Sequence, residues 1–206
     1  MNEIRVIIVE DEPLIAQDIA SILEGYDYSV EGIFHVPDMA LHYLKSNTPD
    51  IAILDVNLNA EIDGIAIGKY ILENCEFPVV YLTAYADKKT IDRAKHTKPM
   101  GYIVKPFDEK DIFTTLEIAL YNYANMLKPV QFDKALINKN ILSPLTDKEF
   151  DILKDIYEGR TNQQLAAQHF ISINTVKTHI KNLYDKMEVG SRTEVIVKIR
   201  SLLGSG

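Results

Sequence analysis

The chain has 206 residues, is 47% hydrophobic and 25% charged, and carries a formal net charge of -8. That composition suits a soluble globular protein of one or two domains. No apolar run reaches the roughly 18 residues of a membrane span. No basic-then-apolar leader opens the chain, so the expected location is the cytoplasm, with no membrane partner. Cys75 is the single cysteine, which excludes an intrachain disulfide framework or a cysteine metal cluster.

The charge is unevenly spread. Residues 1–129 hold 11 Lys+Arg against 21 Asp+Glu, a net of -10, whereas residues 141–206 hold 9 against 8, a net of +1. Such asymmetry points to two domains with different partners. Between them MLKPVQFDKALINKNILSP, residues 126–144, carries two prolines and weak periodicity. The expected division is a first domain over 1–125, a linker over 126–142 and a second domain over 143–206.

In chain order, the first half alternates short β-branched runs with helical patterns. Strands are expected at about 4–9, 28–34, 51–55, 78–82 and 100–104. Helices are expected at about 13–25, 37–47, 64–74, 87–96 and 109–125. VIIV, IAIL and VVYL are apolar at successive positions, so both faces of the sheet are expected to be covered. The fold class is α/β, a doubly wound five-stranded parallel sheet. Such sheets place their sites at the carboxyl ends of the strands, near a switch in strand order.

By that rule Glu10, Asp11 and Glu12 follow the first strand and Asp55 ends the third. Thr83 follows the fourth strand and Lys105 the fifth. Carboxylates gathered in one cleft repel, by on the order of 4 kcal/mol for a pair at about 4 Å and an effective dielectric of 20. A cation must offset this. Mg²⁺ suits one or two carboxylates together with waters and phosphoryl oxygens. Lys105 supplies a further positive charge, and Thr83 a hydroxyl. Each acid taken singly reads equally well as a solvated loop residue; the set, at successive strand ends, does not.

VEDEP, ILDVNL followed by DGI, VVYLTAY and GYIVKPF resemble the receiver domain of bacterial two-component response regulators, over about residues 3–125. The resemblance implies a flavodoxin-like fold in which Asp55 accepts a phosphoryl group from a sensor histidine kinase or a phosphotransfer protein. It implies that Glu10, Asp11, Asp55 and the backbone carbonyl of Asn57 hold Mg²⁺. Thr83 and Lys105 would contact the phosphoryl oxygens, Tyr102 would be the switch aromatic, and the Lys105–Pro106 bond would be cis. Asn57 and Tyr85, two residues after Asp55 and Thr83, would border the path of the hydrolytic water and slow dephosphorylation. Two departures stand out. Glu10 replaces the commoner Asp, and NLNAEIDG is one residue longer than the usual loop and lacks its proline.

The second half reads as all-α. Thr146 and Glu149 form a capping box ahead of an apolar stripe that Gly159 ends. Further helices are expected at about 162–169, 173–187 and 192–203, with Ser172 capping the third. On the third helix Asn174, Lys177, Thr178 and Lys181 lie opposite the apolar face, as on any solvated helix. LTDKE, EGRTNQQLAAQHFISINTVKTHIKNLYDKM and SRTEVI resemble the LuxR-type helix-turn-helix domain, over about residues 143–203. The resemblance implies a four-helix domain that binds double-stranded DNA with helix 173–187 in the major groove. Lys177, Thr178 and Lys181 would face base edges, and Asn174 and Thr175 phosphate.

The expected function is a phosphorylation-controlled transcriptional regulator acting as a homodimer, and not an enzyme. A Mg²⁺-dependent phosphatase with an aspartyl-phosphate intermediate would want a second Asp two residues after Asp55, where this chain has Asn57. An output domain that grips a protein instead of DNA is the other alternative, separated by a salt-dependent mobility shift.

Overall fold

The computed structural model describes residues 3–26, 28–84, 88–126 and 130–203. The chain divides into two compact units, one over Arg5–Leu120 and the other over Tyr121 onward together with Glu3 and Ile4. In the first, five strands alternate with five helices. The strands are β1 (Ile4–Val9), β2 (Tyr28–Phe34), β3 (Ile51–Asp55), β4 (Val79–Thr83) and β5 (Gly101–Val104). The helices are α1 (Pro13–Glu24), α2 (Pro37–Leu44), α3 (Gly64–Asn74), α4 (Lys88–Ala94) and α5 (Glu109–Met126). The sheet order is β2-β1-β3-β4-β5, and β1, β3, β4 and β5 pair in parallel.

Successive strand side chains point to opposite faces. Ile7, Val9, Ala52, Leu54 and Tyr81 pack into one core cluster. Val6, Ile8, Ile51, Ile53, Val80 and Leu82, at the alternate positions, are also fully buried. Both faces are therefore covered, as the unbroken apolar runs require. The strand order reverses at β1, which has β2 on one side and β3 on the other, so a crevice opens where β1 and β3 end.

Helix α4 is shorter than its sequence pattern. It stops at Ala94 and tightens into a 3-10 turn over Lys95–Thr97, closed by Lys98 with φ 51°. Thr97 causes this. Its hydroxyl donates to the Ala94 carbonyl and meets the buried Tyr81 hydroxyl, each at 2.7 Å.

The second unit is helical: α6 (Lys134–Lys139), α7 (Asp147–Tyr157), α8 (Asn162–His169), α9 (Ile173–Met187) and α10 (Arg192–Leu203). Each of α7, α8 and α9 begins at a side-chain cap, Thr146, Thr161 and Ser172. The first two are full capping boxes, which satisfy orphan backbone donors reciprocally. One apolar core gathers Ile152, Ile156, Leu165, Val176, Ile180 and Ile199.

The stretch read as a linker holds structure of its own. Asp133 caps α6 by accepting from the N–H groups of Ala135 and Leu136. Ile137 is fully buried in the helical core. Phe132 meets Phe150 and Tyr157 edge-on, with ring centroids 6.1 and 5.5 Å apart. Val130, Phe132 and Ile137, three apolar side chains within eight residues, anchor a segment whose prolines and weak periodicity hid it.

Candidate functional site

Strand register sets the first site. Val9 lies beside Leu54, Asp55 beside Leu82, and Thr83 beside Val104, so β1, β3, β4 and β5 all end on one edge of the sheet. Backbone bonds continue the alignment past the strands. Glu10 N–H donates to the Phe34 carbonyl (3.0 Å), and Lys105 N–H donates to the Thr83 carbonyl (2.8 Å). His35 Nδ1 donates to the Glu10 carbonyl at 2.8 Å, since a carbonyl oxygen only accepts. The Lys105–Pro106 bond is cis.

This edge brings together Glu10, Asp11, Asp55, Thr83 and Lys105. Ligand oxygens of Glu10, Asp11 and Asp55 all lie within 4.8 Å of one another. Glu10 and Asp55 are buried and Asp11 is half-buried. Lys105 Nζ stands 2.7 Å from Glu10 Oε2 and 2.6 Å from Asp55 Oδ2. Burial pushes the Glu10 carboxyl up to about 7; the Asp55 charge adds to the rise and Lys105 opposes it. Burial also works against the Lys105 ammonium, but Asp55 and Glu10 outweigh it and hold its pKa above the usual lysine value. Asp55 Oδ1 accepts from Asn57 N–H at 2.9 Å, which fixes the carboxylate's orientation. The Thr83 hydroxyl is buried with no hydrogen-bond partner among the described residues. A buried, unpaired hydroxyl beside a carboxylate and an ammonium suits an incoming oxyanion. Three carboxylates within reach of one point suit a hard divalent cation.

Tyr102 sits outward on β5, 41% exposed, with its ring 5.8 Å from that of Tyr81. Asn57 is exposed. Tyr85 lies outside the described residues.

The site also uses residues whose roles the sequence motifs leave open. Asn59, at φ 44°, donates from Nδ2 to Asp11 Oδ2 at 2.6 Å. Gly64 lets α3 start against β3, because a Cβ there would fall 1.9 Å from the Asp55 carbonyl oxygen. Asp63 caps α3 through Ala66 N–H and pairs with Arg93 of α4 at 2.6 Å. The sequence signal for Gly64 was the Asp-Gly pair closing the loop; for Asn59 there was only the missing proline.

The second candidate surface is on α9. Val176, Ile180, Leu183 and Met187 face the core. Asn174, Thr175, Thr178 and Lys181 are exposed and Lys177 is half-buried. Ser172 Oγ accepts from Thr175 N–H at 3.1 Å, and the two hydroxyls lie 2.8 Å apart. The Thr178 hydroxyl donates to the Asn174 carbonyl at 3.0 Å. The helix is braced from behind. Lys186 Nζ is 2.7 Å from Glu149 Oε2 on α7. Asp155 of α7 lies 2.7 Å from His169 Nε2 on α8. Arg192, buried at the start of α10, donates to the Arg160 carbonyl.

Comparison with known proteins matches both regions. The family model of the response regulator receiver domain matches residues 6–117, and that of the bacterial regulatory proteins of the luxR family matches residues 143–199. The chain is 31% identical over 165 residues to the uncharacterized transcriptional regulatory protein YhcZ of Bacillus subtilis, covering 75% of each. It is 28% identical over 203 residues to the transcriptional regulatory protein LiaR of the same organism, covering 94% of this chain and 95% of that one. Among solved structures, the N-terminal domain of a response regulator/sensory box/GGDEF protein from Carboxydothermus hydrogenoformans is 31% identical. Its TM-score is 0.55 over 60% of this chain and 99% of that one. The Salmonella typhimurium RcsB response regulator, at 21% identity, shares the fold with TM-score 0.50 over 98% of this chain and 100% of that one.

Proposed function

The chain belongs to the response regulators, a receiver domain followed by a LuxR-type DNA-binding domain, and from that premise we infer that phosphorylation of Asp55 controls how it binds DNA. It is a phosphorylation-controlled transcriptional regulator. The observation that carries the Asp55 reading is one constellation: three carboxylates, the Lys105 ammonium and the unpaired Thr83 hydroxyl on a single edge of the sheet.

A sensor histidine kinase or a phosphotransfer protein donates the phosphoryl group. One carboxylate oxygen of Asp55 attacks phosphorus, the P–N bond to the donor imidazole breaks, and the imidazole nitrogen keeps the electron pair. Asn57 N–H holds Asp55 in orientation while Lys105 stays against it. Glu10, Asp11, Asp55 and the Asn57 carbonyl would hold Mg²⁺, which when bound supplies charge stabilisation for the phosphoryl oxygens. Transfer turns one negative charge into about -1.5 to -2. Lys105 and the Thr83 hydroxyl take up the new oxygens. Thr83 moves toward them and Tyr102 turns inward into the space it leaves. A local charge event thereby biases the surface of α4 and β5.

In the second unit α9 enters the major groove. One such helix reads few base pairs, so the active species is a homodimer on two half-sites. We read the chain as a regulator and not an enzyme. We place it in the cytoplasm; no helix among the described residues is long and apolar enough to cross a membrane.

The test uses a small phosphodonor with Mg²⁺. Wild type should form a base-labile phosphoprotein and bind its selected DNA more tightly; Asp55→Asn should do neither. Undiminished labelling of the variant would move the site elsewhere.

A further inference from the structure

Asn59 stands in the β3–α3 loop, four residues after Asp55. Three observations meet there. Its backbone is left-handed, φ 44°, a region that Asn tolerates better than most side chains. Its Nδ2 donates to Asp11 Oδ2 at 2.6 Å. And the three acidic side chains are not held alike. Lys105 pairs with Glu10 and with Asp55, whereas the hydrogen bond on the Asp11 side chain comes from Asn59. Asp11 is also the least buried of the three.

We propose that Asn59 is a positioning residue that orients Asp11 for a divalent cation. The proposal rests on reading Glu10, Asp11 and Asp55 as the cation's ligands. A half-exposed carboxylate has rotamers to lose when a metal binds. An amide donor on one oxygen fixes the rotamer beforehand and leaves the other oxygen, and a second lone pair, for the cation. Outer hydrogen bonds of this kind commonly change metal affinity by about 10–100-fold. The longer loop supplies the reach: the left-handed turn aims the Asn59 amide across to Asp11, on the far side of the crevice between β1 and β3.

Full-length wild type, Asn59→Gly and Asn59→Ala are compared. Glycine accepts φ 44° without strain, so the first variant removes the amide and keeps the loop. Alanine removes it from a strained backbone, and agreement between the two separates amide from loop. Bound Mn²⁺ is measured by electron paramagnetic resonance, and folding by the thermal midpoint in EDTA. Separately, labelling by a small phosphodonor is followed against Mg²⁺ concentration. Both variants should bind Mn²⁺ about 10-fold or more weakly. The Mg²⁺ concentration for half-maximal labelling should rise by the same factor, with the rate at saturation retained. Mn²⁺ affinity equal to wild type would overturn the proposal. Tighter binding would also overturn it, showing that the amide occupies the cation's place. A wild type that binds no Mn²⁺ would remove the ligand reading itself, and the proposal with it.

Discussion

At the scale of single residues, Glu10 has the sharpest consequence. Its carboxyl is pushed up to about 7 from an ordinary 4.5. Between those values the folded chain holds a proton that the unfolded chain has released. Glu10's contribution to stability is therefore fully present below about 4.5 and is lost as pH rises through about 7, the reverse of the usual carboxylate. Metal-free wild type should lose about 1–3 kcal/mol relative to Glu10→Gln between pH 5 and pH 8, each pKa unit being worth about 1.4 kcal/mol. Urea unfolding in EDTA at the two pH values measures it; parallel curves for the two proteins would refute it. The sequence made Glu10, Asp11, Asp55, Thr83 and Lys105 visible, because each sits directly at a strand end where local pattern gives its place. Asn59 was not visible as a partner of Asp11. Their hydrogen bond joins residues 48 apart, and no local periodicity encodes it.

At the scale of elements, what the sequence encodes is periodicity and caps. The helices α8, α9 and α10 fall on 162–169, 173–187 and 192–203, as expected. Thr161, Ser172 and the apolar stripe of α9 fix them by local chemistry. What it does not encode is how closely two elements approach. In sequence Gly64 shows only as part of the DGI motif and Gly68 as one more position in the α3 pattern. In the fold a Cβ at Gly64 would meet the Asp55 carbonyl oxygen at 1.9 Å, and one at Gly68 would meet the Tyr81 hydroxyl at 2.0 Å. Neither neighbour is free to give, one being backbone and the other fully buried. Gly64→Ala should therefore push α3 away from the end of β3 and cost about 1–3 kcal/mol. Because the displaced backbone is that of Asp55, labelling should slow by on the order of 10–100-fold. A variant with wild-type thermal midpoint and wild-type labelling would mean that the helix start is not pinned there.

For the molecule as a whole, the chain forms two compact units, and the sheet and the helices each bury an apolar core of their own. Strand order came only through the family resemblance, since parallel pairing joins distant segments, and the boundary between the bodies was blurred for a different reason. Residues 130–142 looked too irregular to fold, yet Ile137, Phe132 and Val130 pack against the helical core. A fragment over 143–206 leaves these behind. Burying Ile137 alone is worth about 1.5–3 kcal/mol, so a fragment over 130–206 should exceed it in unfolding free energy by about 2 kcal/mol or more. Equal denaturant midpoints would show α6 to be an ornament. The paired cores also govern what heat does to the intact chain. Each unit has its own enthalpy and heat capacity, so the thermal midpoint that reports on the metal site is the sheet unit's own. A calorimetric trace should then resolve into two endotherms, and a cation bound at Asp55 would raise the one that belongs to the sheet.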